Sequence, residues 1–313
     1  MKAWLLDDVH AELRQDEVAP PQPGRDQVLV RVKASGLCHS DVAYMEGLFP
    51  FQIPFPVILG HEAAGVIEAV GDGVTDWNVG DRVAAVATAT DAPGITRDGA
   101  YAEYILLTAD ALVRVPENVD WAQAAAATDA GNTAYAGVVV IGEVAPGDRV
   151  GIVGLGGLGL TGAGIALAKG ANVIGVEPRE EVWDSAREIG ITELVKDVSE
   201  LEGKDLDLVV DFAGFSTTTA GALRAVKNRG RVVLVGLGKP EVTFSAMDLI
   251  SRAVELRGAT PQGDPADLRD VISMIEAGRL RIPTETIGFQ DIPRGLGRLA
   301  RGEVSGRLVA VFD

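Results

Sequence analysis

A glycine-rich run, Gly154-Leu-Gly156-Gly157-Leu158-Gly159, directly follows the apolar stretch Arg149–Val153 and leads into small residues that continue to Lys169. In a strand–turn–helix, Gly154 makes the tight turn, Gly156 lets a pyrophosphate approach the main chain, and Gly159 allows close packing of helix on strand. The helix start, at Gly157 and Leu158, offers unpaired N–H groups and a partial positive charge to phosphates. About 20 residues after Gly156, Glu177 closes the next apolar stretch, Asn172–Val176. A carboxylate there accepts ribose hydroxyls of NAD and repels the 2′-phosphate of NADP. Arg179 stands two residues on, and its guanidinium is suited to hold such a phosphate. NAD is the expected cofactor and NADP the less favoured one.

Other reactive side chains are scarce. Cys38 is the single cysteine, so the chain forms no intrachain disulfide, and a cytoplasmic setting is expected. With three histidines, His10, His39 and His61, any metal site draws on a short list. Two of them fall in compact polar groups, Cys38-His39-Ser40-Asp41 and His61-Glu62.

The elements that must carry these residues follow from periodicity. Residues 1 to about 130 hold short alternating runs, among them Gln27–Lys33 and Tyr101–Leu107, separated by turn signals such as Pro20–Gly24 and Arg97-Asp-Gly99. That pattern predicts an antiparallel, barrel-like β region followed by an alanine-rich helix over Trp121–Ala127. From 131 to 259, continuous apolar runs (Arg149–Val153, Asn172–Val176, Leu208–Asp211, Arg231–Val235) alternate with helical stretches, which predicts a doubly wound parallel sheet. The tail, 260–313, carries an amphipathic helix over Ala266–Ala277 and a final strand, Gly306–Phe312, placed to return to the first region. Two domains result, 1–130 with 260–313, and 131–259.

Composition narrows the partners. A net charge of −17 repels phosphate backbones and anionic lipid heads, so neither nucleic acid nor membrane is expected. No long uncharged apolar stretch and no leader pattern at Met1–Asp8 argue for a membrane span or a secretory signal.

Taken together, Cys38–Asp41, Gly60-His61-Glu62, Val79-Gly-Asp-Arg-Val83, Asp98-Gly-Ala-Tyr-Ala-Glu-Tyr104, Asp129-Ala-Gly-Asn-Thr133 and the glycine turn resemble the zinc-dependent alcohol dehydrogenases of the medium-chain dehydrogenase/reductase family. The resemblance spans essentially the whole chain. It implies an α/β protein, a GroES-like β-barrel-type catalytic domain plus a doubly wound Rossmann domain, and NAD-dependent hydride transfer. By position, Cys38 and His61 match two ligands of a catalytic zinc, and Asp129 stands where most members place a second cysteine. A carboxylate in place of a thiolate leaves the zinc the more Lewis acidic. Ser40 matches the hydroxyl that takes the substrate proton, Asp41 the acid that orients the ligand histidine, and Glu62 an acid near the metal. His39 and Arg307 match basic groups at the pyrophosphate, and Thr133 a contact to the nicotinamide. The family's habit of pairing through sheet edges implies a homodimer or homotetramer.

Two departures qualify the match. The cysteine-rich lobe that holds a second, structural zinc in many relatives is missing from the interval Val83–Arg97, so one zinc per chain is expected. Ala43 occupies the place where relatives often carry the histidine that ends the proton relay. These changes keep open a carbon–carbon double-bond reductase of the same fold, and a non-catalytic NAD-binding protein is the remaining alternative. Phe49, Phe51 and Phe55 stand in an apolar loop that reads equally as buried packing or as the pocket wall, and the second reading implies a hydrophobic alcohol or ketone, secondary alcohols included.

Overall fold

The computed structural model describes residues 1–49, 54–88 and 91–312. Its contacts divide the chain into two compact units, Met1–Asp129 with Gln262–Glu276 and Thr284–Asp313, and Ala130–Pro261 with Ala277–Pro283.

The first unit is built around one long strand, Gln27–Leu37, whose alternating Val28, Val30 and Val32 are buried. On one edge it pairs antiparallel with Glu62–Val70, with register shifts after Leu29 and Val32. Its other edge is shared: Tyr104–Thr108 pairs with residues 27–31, and the final strand, Arg307–Val311, pairs with residues 34–37. The sheet extends through Arg82–Ala85 to Leu112–Arg114 on one side and through the parallel strand Thr284–Gly288 on the other. A smaller antiparallel sheet orders Arg14–Glu17, Lys2–Leu6 and Val57–Ile58. Leu6, Leu37, Leu59, Ile67, Tyr101, Ile105 and Leu308 share the core between them. The helix Ile292–Ala300 closes that core with Ile292, Leu296 and Leu299.

The second unit holds a six-stranded parallel sheet in the order Glu193–Val195, Asn172–Val176, Arg149–Val153, Leu206–Asp211, Val226–Leu234, Glu255–Gly258. The first strand in sequence lies at the centre and the order reverses beside it, the arrangement in which open α/β sheets bind ligands at the carboxyl ends of the strands. The helix Gly157–Ala168 follows that central strand. Its glycines let it lie close: a Cβ on Gly162 would fall 2.7 Å from the Phe212 ring.

The predicted elements and the observed ones agree closely at Arg149–Val153, Asn172–Val176 and the last strand. The boundaries differ by one or two residues at 130 and 260–261, which fall in the second unit, and by a whole segment in the tail. Residues 277–283 belong with the second unit, where Leu280 and Ile282 are buried, rather than with the rest of the tail. No helix among the described residues is long and apolar enough to cross a membrane.

Candidate functional site

Cys38 ends the long strand and caps the short helix His39–Met45. The cap is reciprocal: Cys38 N–H donates to Asp41 Oδ2 at 2.9 Å, while Asp41 N–H donates to Cys38 O at 3.1 Å. This turn fixes where the thiol and the Asp41 carboxylate face. Asp41 Oδ1 then accepts from His61 Nδ1 at 3.2 Å, and Tyr101 OH donates to Oδ2 at 2.7 Å. Asp41 is therefore fully bonded at 1% exposure. Burial pushes its carboxyl up, but the His61 charge and these hydrogen bonds more than offset that and hold it below the ordinary value. Burial likewise opposes a charged His61, yet Asp41 and the neighbouring Asp129 and Cys38 raise its pKa well above the usual imidazole value.

With Nδ1 committed to Asp41, Nε2 of His61 faces Asp129 Oδ2 at 3.7 Å. That carboxylate oxygen is 3.5 Å from Cys38 Sγ. Asp129 lies in a π-helical turn, Ala127–Gly131, that interrupts the helix begun at Trp121, and such turns redirect a side chain out of the regular helical rows. One ligand atom from each of Cys38, His61, Glu62 and Asp129 falls within 4.8 Å of the others, the one such group among the described residues. Ligands about 2.0–2.3 Å from a tetrahedral zinc stand roughly 3.3–3.8 Å apart, so the thiol, imidazole and Asp129 carboxylate already have the spacing and the donor types of a zinc site. The carboxylate–histidine pairing behind His61 is the usual support for such a ligand.

Glu62 and Arg307 form the remaining wall. Glu62 begins the strand opposite Gly36, and Arg307 begins the strand on the other edge of the same long strand. A Cβ on Gly36 would fall 2.0 Å from Glu62 Oε2, so glycine is required for the two side chains to meet across it. Arg307 Nε donates to Glu62 Oε2 at 3.0 Å, and Nη2 donates to both Glu62 Oε1 and Asp129 Oδ2. Glu62 is fully buried and the Arg307 side chain is 6% exposed. Burial pushes the Glu62 carboxyl up against the pull of Arg307, with the Asp129 charge adding to the rise. Burial opposes a charged Arg307, but Cys38, Glu62 and Asp129 around it hold its pKa well above the usual value.

The Arg307 guanidinium pairs with Glu62 and Asp129, because a buried cation must be paired and the strand start places it beside both. Ser40 Oγ lies 3.4 Å from Cys38 Sγ and is partly accessible, as its expected role requires. His39 is exposed and its Nε2 lies 3.1 Å from Leu299 O.

Tyr101, within the Asp98–Tyr104 segment, is a site residue that the motif alone does not mark. It is anchored where Gly99, Ala100 and Tyr101 N–H groups donate to Ile58, Gly60 and Leu59 carbonyls. Gly60 there has φ +95°, and a Cβ would strike the Tyr101 ring at 2.6 Å. A tyrosine among alanines gives no local sign of this contact. Of the expected pocket wall, Phe49 packs against Tyr44 in a tilted ring pair with centroids 5.6 Å apart, and Phe55 packs on the core. Phe51 lies outside the described residues. Between Val83 and Arg97, Asp91 pairs with Arg97 and accepts from Thr108 Oγ1.

In the second unit, Gly154 has φ +82°, the left-handed turn the motif predicts, and a Cβ on Gly159 would fall 1.8 Å from Gly154 O. A Cβ on Gly156 would meet nothing within 4 Å, so open space stands in front of the main chain there. Gly156 caps the helix without a side chain to satisfy the N–H groups of the first turn, Gly157 and Leu158 among them. These features fit a dinucleotide pyrophosphate. Glu177, 3% exposed, accepts from Leu155 N–H at 3.0 Å, which ties the acid to the glycine turn. Thr133 sits half-buried in the helix Asn132–Tyr135.

Comparisons with known proteins agree with this geometry. Residues 24–117 match the alcohol dehydrogenase GroES-like domain, and residues 157–277 match the zinc-binding dehydrogenase family. An alcohol dehydrogenase of Geobacillus stearothermophilus is 30% identical over 339 positions, covering 100% of both chains. An NAD-dependent alcohol dehydrogenase of Sulfurisphaera tokodaii is 30% identical over 99% of this chain and 100% of its own. The structure of acetophenone reductase from Geotrichum candidum in complex with NAD superimposes with a TM-score of 0.90 at 30% identity, over 99% of this chain and 96% of that one. The chain belongs to the zinc-dependent alcohol dehydrogenases of the medium-chain dehydrogenase/reductase family and is an oxidoreductase of that class.

Proposed function

We propose that this enzyme interconverts hydrophobic alcohols, secondary ones included, and their carbonyl compounds with NAD, at a single zinc held by Cys38, His61 and Asp129. The observation that carries this reading is the donor group itself, a thiol, an imidazole and a carboxylate at tetrahedral spacing with a buried acid behind the imidazole. A zinc bound there supplies Lewis-acid polarisation of a substrate oxygen, and a bound nicotinamide supplies the hydride acceptor. The protein's own part is orientation and proton handling. Asp41, locked by Tyr101 and by Cys38 N–H, holds the Nδ1–H of His61, so that Nε2 is the ring nitrogen that would take a zinc in place of a proton. Ser40 Oγ, beside Cys38 Sγ, is the group that accepts the substrate's hydroxyl proton and releases it outward. Ala43 cannot extend that path, so water or a cofactor hydroxyl takes the proton on from Ser40.

The deletion Ser40→Ala should lower kcat for alcohol oxidation by about 100-fold, the range of a lost general base, with zinc content and NAD binding unchanged. Product analysis with NADH and an enone should give the allylic alcohol. A saturated ketone as the product, with no alcohol oxidation, would replace this reading by double-bond reduction.

A further inference from the structure

The short helix His39–Met45 is braced at both ends. His39 Nε2 lies 3.1 Å from Leu299 O, in the helix Ile292–Ala300, and His10 N–H donates to Met45 O at 2.6 Å. Between these braces the packing stops short. A cleft of about 410 Å³ opens there, lined by Leu13, Val42, Met45, Pro293 and Leu296. Small-molecule sites begin at about 300 Å³, and none of the four metal-ligating side chains lines this one.

Two features of the cleft weaken the fold without a packing reason. Gly297 sits inside the helix Ile292–Ala300, where glycine is less stable than alanine. At Gly295 packing demands glycine, since a Cβ would fall 2.8 Å from Leu37 Cδ2 and 2.9 Å from Ile287 Cδ1. At Gly297, beyond the helix's own backbone, a Cβ would meet among the described residues only Arg301 Nη1, at 3.3 Å, the end of a flexible side chain. What glycine leaves at 297 is open space in the cleft wall. His10, on the opposite side, has φ +63°, a left-handed conformation that non-glycine residues avoid, and strain of this kind collects at ligand sites.

The rim decides the charge of what fits. Glu12 and Glu46 line the cleft and are exposed, and among the described residues neither is in an ion pair. Arg301 is spent on Glu303 through Nε and Nη2. Aliphatic walls below two unpaired carboxylates suit a cation that carries an apolar tail. We propose that this cleft is a second ligand site, one that takes a small organic ammonium with its tail on Met45 and Leu296 and its charge at Glu12 and Glu46.

The test is calorimetric titration of the zinc-loaded full-length enzyme at pH 8, where imidazole is neutral. One probe is hexyltrimethylammonium, which has no lone pair to give a metal; the other is hexanesulfonate, of equal chain length and opposite charge. The ammonium should bind once per chain with a Kd of about 1 mM or tighter, and the sulfonate at least about 10-fold more weakly. Glu12→Gln combined with Glu46→Gln, at exposed positions, should weaken the ammonium by about 3- to 10-fold, the size of two exposed charge pairs. Gly297→Leu, which fills the wall, should abolish binding while alcohol oxidation persists, and the double glutamine variant decides if that protein does not fold. Binding of neither probe, equal or tighter binding of the sulfonate, or unchanged ammonium binding in the double glutamine variant or in a folded Gly297→Leu protein would each overturn the proposal.

Discussion

In the first unit the reactive groups arrive from five separate stretches: Cys38–Asp41, His61-Glu62, Tyr101, Asp129 and Arg307. Cys38, Asp41, His61, Glu62, Tyr101, Asp129 and Arg307 meet as a largely buried polar group in which each is bonded to another. In the second unit the candidate nucleotide site is one continuous turn, Gly154–Gly159, whose working parts are main-chain N–H groups and empty space. The first site is sensitive to what its side chains are, because removing one charge leaves another buried and unpaired. The second is sensitive to whether side chains are present at all.

That contrast sets the expected sizes of perturbation. The largest should come from Arg307→Gln, which leaves Glu62 wholly buried without its cation; losing one partner of a buried pair costs about 3–5 kcal/mol. Chemical denaturation should show the loss, and an unchanged midpoint would mean that the Glu62–Arg307 pair contributes little. Next is Gly159→Ala, whose Cβ would overlap Gly154 O at 1.8 Å. Overpacking of that kind costs about 1–3 kcal/mol, so NAD affinity should drop by up to about 100-fold while zinc per chain stays the same. Loss of zinc in this variant would show that the two sites are not independent. The smallest of the three is Tyr101→Phe. It removes only the hydroxyl that donates to Asp41 Oδ2, and support behind a metal-binding histidine is worth about 10-fold or more in metal affinity. Chelator competition measures that, with NAD binding as the unaffected control.

The same contrast explains what could be read from the chain alone. The glycine turn is local, so strand, turn and helix follow from adjacent residues, and Arg149–Val153, Gly154–Gly159 and Glu177 were legible in order. The ligand group is non-local. Cys38, His61 and Asp129 are individually unremarkable, and only the match to a family pattern brought them together before the structure did. Nothing next to Arg307 in sequence shows its pairing with Glu62, which depends on strand pairing with residues 34–37 and on Gly36 having no side chain. Tyr101 is placed by main-chain pairing with residues 58–60, which no periodicity encodes. Residues 277–283, expected with the rest of the tail, group with the second unit, because apolar Leu280 and Ile282 announce that they need cover but not which core supplies it.

The central claim is a single zinc on Cys38, His61 and Asp129, and elemental analysis tests it most directly. Protein purified without chelators or a metal-affinity tag, from cells supplied with zinc, should contain close to one zinc per chain, and Asp129→Ala close to none. A wild type with no zinc, or an Asp129→Ala protein that keeps both its zinc and its activity, would contradict the account.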